Sequence, residues 1–260
     1  MKALEELFGL GGRVAVVTGA SAGLGVELAE ALASAGAAVA LLARRRDRLE
    51  TTAARLHDAY GVPVLAVDVD IVSSEAVQAA FARIESELGG IDVLVNNAGI
   101  APTGRAEAQW PTAWQETIDT NLTALFHCSL LAAASMKRAG RGGRIINVSS
   151  IFGKLGSSLF RVSSYAASKG GVETLSRQLA VEWAADGITV NTIAPAWFPS
   201  EMTAGSLEHE GVERRMGEAC PMNRMGRPGE LRTACLFLAS PASSYVTGAT
   251  IPVDGGYSAW

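Results

Sequence analysis

Arg13-Val14-Ala15-Val16-Val17-Thr18-Gly19-Ala20-Ser21-Ala22-Gly23-Leu24-Gly25 is a short β-branched run, then a turn carrying three glycines, then the start of a helical pattern that continues to Ala35. A strand that enters a glycine-rich turn and leaves as a helix opens a βαβ unit. Glycines in such a turn let the backbone approach a pyrophosphate, and the helix N-terminus behind them offers unpaired N–H groups and a positive dipole end. Gly19, Ser21, Gly23, Leu24 and Gly25 are therefore the candidate cofactor cradle. The plainer alternative is a turn that merely needs glycine; the strand before it and the helix after it favour the cradle.

The alternation continues outward from this stretch. Ala38–Ala43, Val62–Val67, Ile91–Val95, Arg144–Val148, Ile188–Ile193 and Thr250–Val253 read as short strands. Asp47–Tyr60, Ser74–Leu88, Thr112–Arg138 and Ser164–Asp186 read as helices. Strand–helix alternation with near-continuous apolar strands predicts an α/β fold: a single doubly wound Rossmann-type domain over residues 1–260, its parallel sheet of about seven strands covered by helices on both faces. The least regular stretch is Ala196–Arg227, with Pro199, Pro221 and scattered charges. It follows a strand end, where ligands bind in such sheets, so a substrate flap is expected there; a plain surface excursion is the alternative.

Bulk composition narrows the partners. With 26 acidic and 22 basic residues the chain has a formal charge of −4, which argues against nucleic acid or an anionic membrane as the main partner. Cys128, Cys220 and Cys235 are widely spaced and form neither a zinc signature nor a disulfide framework, so reduced thiols in the cytoplasm are expected. His57, His127 and His209 match no metal or triad spacing, and no metal site is expected. Acids interrupt the first eight residues where a secretion signal needs an apolar run, and no segment approaches the ~20 apolar residues of a membrane helix.

Two further features carry chemistry. Tyr165 and Lys169 are four residues apart in a helical stretch and share one face. A neighbouring ammonium favours a phenolate, so the pair is expected to lower the tyrosine pKa and to act as a general acid/base unit at an alcohol oxygen. The second strand ends Ala43-Arg44-Arg45-Arg46, where a site for NAD usually presents an acid to the ribose. Arg44 instead suits a 2′-phosphate, favouring NADP(H) with NAD(H) as the alternative.

These motifs stand in an order that resembles the classical short-chain dehydrogenase/reductases nearly end to end. The set is Gly19-x3-Gly23-x-Gly25, Asp68-Val69, Asn96-Asn97-Ala98-Gly99, Asn121, Ser150, Tyr165-x3-Lys169, Asn191 with Pro195, and Pro252-Val253-Asp254-Gly255-Gly256. The resemblance implies an oxidoreductase that transfers hydride reversibly between a nicotinamide dinucleotide and a carbonyl or secondary alcohol, most simply a ketoreductase. Asp68 and Val69 should flank adenine. Asn96, Asn97, Ala98 and Gly99 should line the cofactor channel. Asn121 should kink its helix and hold a water that links Lys169 to solvent. Ser150, rather than its neighbour Ser149, should hydrogen-bond the substrate oxygen. Tyr165 should transfer the proton, Lys169 should also hold the ribose, and Pro195 and Ser200 should approach the nicotinamide. The family also implies a homotetramer, a dimer of dimers paired through the two long helices, which Tyr257-Ser258-Ala259-Trp260 should join.

Two departures stand out. The segment between Ser150 and Tyr165 is about two residues longer than the common family spacing, the extra length falling in Gly156–Val162. Pro195-Ala196 replaces the family's Pro-Gly, and alanine tolerates positive φ poorly, so an altered backbone is expected there. Trp110, Trp114 and Trp183 read as packing residues; Trp197 and Phe198 follow a strand end and suit an apolar substrate pocket. Two rivals remain: an NAD-dependent alcohol dehydrogenase, and a nucleotide-binding regulatory protein without catalysis.

Overall fold

β1 (Val14–Thr18) is buried at every position, and its neighbouring residues alternate between two cores. Val17 joins Leu28, Leu41, Leu49 and Ile146 on one face of the sheet; Val16 joins Leu42, Ile84, Leu94 and Met136 on the other. This is why the strands read as unbroken apolar runs: both sides are covered. The computed structural model describes residues 2–259 and, among these, the remaining strands are β2 (Ala38–Ala43), β3 (Val64–Asp68), β4 (Val93–Asn96), β5 (Gly143–Val148), β6 (Ile188–Pro195) and β7 (Thr250–Val253). They pair in parallel in the order β3-β2-β1-β4-β5-β6-β7. The order reverses between β1 and β4, and the crevice beyond their C-terminal ends is where such sheets bind ligands.

The helices are α1 (Lys2–Phe8), α2 (Gly23–Ser34), α3 (Arg46–Tyr60), α4 (Ser74–Leu88), α5 (Ala106–Gln109), α6 (Thr112–Ile118), α7 (Ala124–Ala139), α8 (Ser163–Trp183), α9 (Glu201–Leu207), α10 (Val212–Glu218) and α11 (Arg232–Ala239). α2, α3 and α11 contribute to the first core, and α4, α7 and α8 to the second. At the far end of the sheet from the crevice, the buried Asp92 carboxylate accepts from Arg141 Nε at 2.7 Å, Arg13 Nη1 at 2.9 Å and the Val14 amide at 2.9 Å, tying β1, β4 and the turn before β5. Burial alone would raise its pKa, but these donors outweigh burial and hold it below the usual carboxylate range.

Several expected elements differ. The helix read over Thr112–Arg138 is three pieces, because Asp119–Thr123 forms a π-helical turn between α6 and α7. Apolar periodicity alone cannot register a one-residue insertion of this kind. Ser164–Asp186 ends in a 3₁₀ turn at Ala184–Asp186. The irregular stretch after β6 contains α9 and α10, both too short to show a period. Trp110 is not a packing residue: it is 71% exposed at the end of the one-turn α5, whereas Trp183 is buried.

Candidate active site

The glycine turn is shaped by its neighbours. Gly19 has φ +68°, and a Cβ there would lie 2.8 Å from the Ala98 Cα, so the tip of β1 passes against the tip of β4 with no room for a side chain. Thr18 Oγ1 accepts from the amides of Asn97 at 3.0 Å and Ala98 at 3.1 Å, which locks these strand ends together. Ala22, at the N-cap of α2, provides no side-chain acceptor, so the first amides of that helix face the crevice uncapped by a side chain. A cleft of about 710 Å³ opens here, lined by Gly19, Ser21, Gly23, Leu24, Arg44, Val69, Asn97, Ala98, Gly99 and Ser200. Uncapped amides, a glycine turn and guanidinium groups fit a phosphorylated dinucleotide.

Three expected cofactor residues lie elsewhere. Gly25 stands behind the cradle, where a Cβ would collide with the Gly19 carbonyl oxygen and lie 2.7 Å from Asn97 Nδ2; its role is the close approach of α2. Asp68 is exposed at the edge strand β3 and outside the cleft lining. Asn96 turns into the core: its Nδ2 donates to Asn147 Oδ1 at 2.9 Å and Ser129 Oγ at 3.0 Å. Strand alternation explains this, since consecutive side chains leave on opposite sides and only Asn97 reaches the cleft. A residue that the sequence reading passed over is Arg45. It lines the cleft, and its Nη2 donates to Ser21 Oγ at 2.9 Å and to Glu201 Oε2 at 2.7 Å.

A second cavity, of about 140 Å³, adjoins the first and is bounded by Ser150, Tyr165, Lys169, Pro195, Phe152, Phe160 and Trp197 among others. Both hydroxyl-bearing candidates therefore meet in one crevice with Lys169. Ser149 is otherwise engaged: its hydroxyl is directed at the Lys169 carbonyl, 3.1 Å away, and at the buried Glu173 carboxylate, 3.3 Å away. Lys169 Nζ donates to the Val148 carbonyl at 2.7 Å and lies 5.6 Å from the Tyr165 ring centre. The expected lowering of the Tyr165 pKa is not what this site produces. Burial raises it, with the Ser150 hydrogen bond acting in the opposite sense, and burial lowers Lys169 to about 8. Desolvation penalises both charged forms.

Asn121 sits in the π turn: Oδ1 accepts from the Ile100 amide at 2.8 Å, and Nδ2 donates to the Ile100 carbonyl at 2.9 Å and to Ser168 Oγ at 3.0 Å. Gly99 fills the gap between it and Lys169: a Cβ at Gly99 would be 3.1 Å from Asn121 Oδ1 and 3.6 Å from Lys169 Nζ. Ala196 takes no positive φ; its amide donates to the Val253 carbonyl at 3.2 Å, continuing the β6–β7 ladder, so alanine is unstrained where the family has glycine. Tyr257 packs edge-on against Trp197 at 6.1 Å; Trp260 lies outside the described residues.

This arrangement has close counterparts. The family model described as "Enoyl-(Acyl carrier protein) reductase" matches residues 19–258. The cis-4-hydroxycyclohexanecarboxylate dehydrogenase of Sinomonas cyclohexanicum is 42% identical over 95% of this chain and 97% of its own. The galactitol 2-dehydrogenase (L-tagatose-forming) of Cereibacter sphaeroides is 39% identical over 98% and 99%. The chain belongs to the short-chain dehydrogenase/reductase family. Among solved structures of similar proteins, a gluconate 5-dehydrogenase from Burkholderia cenocepacia in complex with NADP and tartrate superimposes with a TM-score of 0.93, at 34% identity over 99% of both chains. As a short-chain dehydrogenase/reductase the protein is an NAD(P)-dependent oxidoreductase. Among the described residues, no helix is long and apolar enough to cross a membrane, and no cluster of side chains could hold a metal ion.

Proposed function

We propose that this enzyme reduces ketones with NADPH, using Tyr165 as the proton donor, Ser150 as the second donor to the substrate oxygen and Lys169 as their electrostatic partner. The dinucleotide, when bound, supplies the hydride; the protein aligns the substrate and manages the proton. Ser150 and Tyr165 hydroxyls both face one crevice, so a carbonyl oxygen placed there accepts two hydrogen bonds. As negative charge grows on that oxygen the bonds strengthen, which stabilises the transition state more than the ground state. Tyr165 then passes its proton to the oxygen. A buried phenol whose pKa is raised is protonated at neutral pH, which suits the reductive direction. Lys169, next to it, lowers the cost of the phenolate when it forms.

NADP(H) is favoured over NAD(H) by Arg44 and Arg45, which follow β2 and line the cleft, and by the NADP held in the similar gluconate 5-dehydrogenase. Gly19, Gly23 and Leu24 with the α2 amides would hold the diphosphate, and Val69, Ala98 and Gly99 the remainder. Ser200 and Pro195 stand where the two cavities join. α9 and α10, over residues 196–227, form the flap. Phe126 and Leu130 on α7 and Val181 on α8 are exposed apolar residues, 77% in the case of Val181. We take a second copy of this chain as their cover, in a dimer of dimers, which light scattering tests. Three buried free thiols accord with the cytoplasm.

The observation that carries the catalytic reading is the convergence of Ser150, Tyr165 and Lys169 on one cavity that opens into the glycine cleft. Tyr165→Phe is expected to bind NADPH normally and to lose at least about a hundredfold in kcat on any ketone substrate. Full turnover by that variant would refute the assignment.

A further inference from the structure

We infer, resting on the reading of the Ser150–Tyr165 crevice as the catalytic site, that the substrate is a compact uncharged ketone or secondary alcohol of about the size of one six-membered ring, selected by Phe160 and Trp197. The cavity beside Ser150 and Tyr165 measures about 140 Å³. A protein cavity of about 150 Å³ lined by apolar side chains binds benzene, so a single ring fits the space here, which opens toward the cofactor cleft.

The lining is aromatic and aliphatic. Trp197 is the hub: its ring centre lies 5.3 Å from Phe152, 5.4 Å from Phe160 and 6.1 Å from Tyr257. Phe160 comes from the lengthened segment before Tyr165, so the extra chain places an aromatic wall inside the pocket. Its position is fixed locally, since the Phe160 amide donates to Ser157 Oγ at 2.9 Å. Among the described lining residues the only ionisable groups are Tyr165 and Lys169, and one of the three donors of the Lys169 ammonium is taken by the Val148 carbonyl. The Thr203 hydroxyl is bonded to the Phe198 carbonyl at 3.0 Å and to the Ser200 amide at 2.9 Å, which leaves Thr103 and Ser200 as the hydroxyls away from the reacting oxygen, with the Asn97 amide on the cofactor side. A polyol would lose water from several hydroxyls with few partners to replace it, and a carboxylate would be stripped of water beside aromatic rings.

The test uses the purified full chain. Initial rates with NADPH are measured on cyclohexanone, 2-decalone and 4-oxocyclohexanecarboxylate, and with NADP on galactitol and gluconate. Calorimetry on the NADPH-loaded protein, in which alcohol and reduced cofactor cannot react, measures binding of cyclohexanol and gluconate independently of turnover. Cyclohexanone is expected to exceed the charged and fused-ring ketones by about tenfold or more in kcat/KM. Phe160→Ala is expected to shift the ratio toward 2-decalone by about fivefold or more, with NADPH affinity unchanged. Equal or better turnover or binding of gluconate, galactitol or the carboxylated ketone overturns the inference, as does binding of neither probe. If nothing turns over while cyclohexanol binds and Trp197→Ala weakens it, the pocket assignment stands and the oxidoreductase proposal above it fails.

Discussion

Glu201 on α9 grips Arg45 at the end of β2 in a two-point ion pair: Oε2 accepts from Nη2 at 2.7 Å and Oε1 from Nη1 at 3.1 Å, across 156 residues of chain. Arg48 pairs with the same carboxylate. The hydrogen bonds from Arg45 and Arg48 pull the Glu201 pKa down to about 2, so the carboxylate is charged at all working pH values. The helix that follows β6 is thereby tied to the guanidinium group facing the cofactor cleft.

A carboxylate at this place competes with a cofactor phosphate for the same arginine. Glu201→Gln is expected to tighten NADPH roughly two- to fivefold at low salt and to leave NADH unchanged, a size set by the worth of an exposed ion pair. The gain should shrink as salt rises. Fluorescence titration with both cofactors measures it. Weaker binding of both together would mean instead that the pair serves to hold α9 over the cleft.

Arg44 and Arg45 differ in their present engagement. Arg45 is held by Ser21 and Glu201, while Arg44 is exposed at the cleft and has no side-chain hydrogen bond among the described residues. Arg44→Ala is expected to cost roughly tenfold or more in NADPH affinity, the scale of a charge-assisted hydrogen bond, and less than about twofold for NADH. Arg45→Ala should show the same preference and also release Glu201. Titrations that find NADPH and NADH equally affected in both variants would remove the 2′-phosphate from this corner.

The cradle and the Tyr165–Lys169 pair were legible because each depends on local spacing: a turn between strand and helix, and a four-residue step on one helix face. Which of two adjacent residues faces a site was less legible. Asn97 against Asn96 is decided by strand phase at the β4 end, and Ser150 against Ser149 by the buried Glu173 that takes up the Ser149 hydroxyl. Arg45 and Glu201 met only through the tertiary fold. A kink at Asn121 was expected from the family resemblance, while its form, a π turn, and the bonds of its side chain to Ile100 and Ser168 needed the tertiary fold. The tyrosine's direction of shift was missed because spacing reports a neighbour's charge and says nothing of burial.

Burial of Lys169 has a stability cost with a definite pH window. Its folded pKa of about 8 lies below the ordinary 10.5, so between those values the unfolded chain binds more protons and stability rises with pH. Lys169→Met removes a buried charge below pH 8, a gain of up to about 3 kcal/mol, and orphans the Val148 carbonyl, a loss of about 1–3 kcal/mol. The variant is expected to be inactive, and its stability relative to the parent should be most favourable near pH 6.5 and decline as pH rises past 8. Urea unfolding at pH 6.5, 7.5 and 9 measures this. A stability difference that does not vary with pH would place the Lys169 pKa near its ordinary value.

Gly25 separates tolerance of space from tolerance of conformation, because it takes no positive φ and yet has no room. A methyl group there would press on the Gly19 carbonyl and on Asn97 Nδ2, which itself donates to the Thr18 carbonyl at 3.1 Å and the Gly19 carbonyl at 3.3 Å. Both obstacles are held by the β1–β4 junction, so relief must come from α2 shifting outward. Overpacking of this kind costs about 1–3 kcal/mol. Gly25→Ala is therefore expected to lower Tm by about 3–10 °C and to weaken either cofactor, since Gly19 and Asn97 line the cleft. Gly104→Ala, where an added Cβ meets nothing within 4 Å, should stay within about 0.5 kcal/mol of the parent. Thermal unfolding of the two variants side by side decides the point: equal melting temperatures would mean that the α2–β4 contact yields without cost, and the cradle would then owe its shape to Gly19 and Gly23 alone.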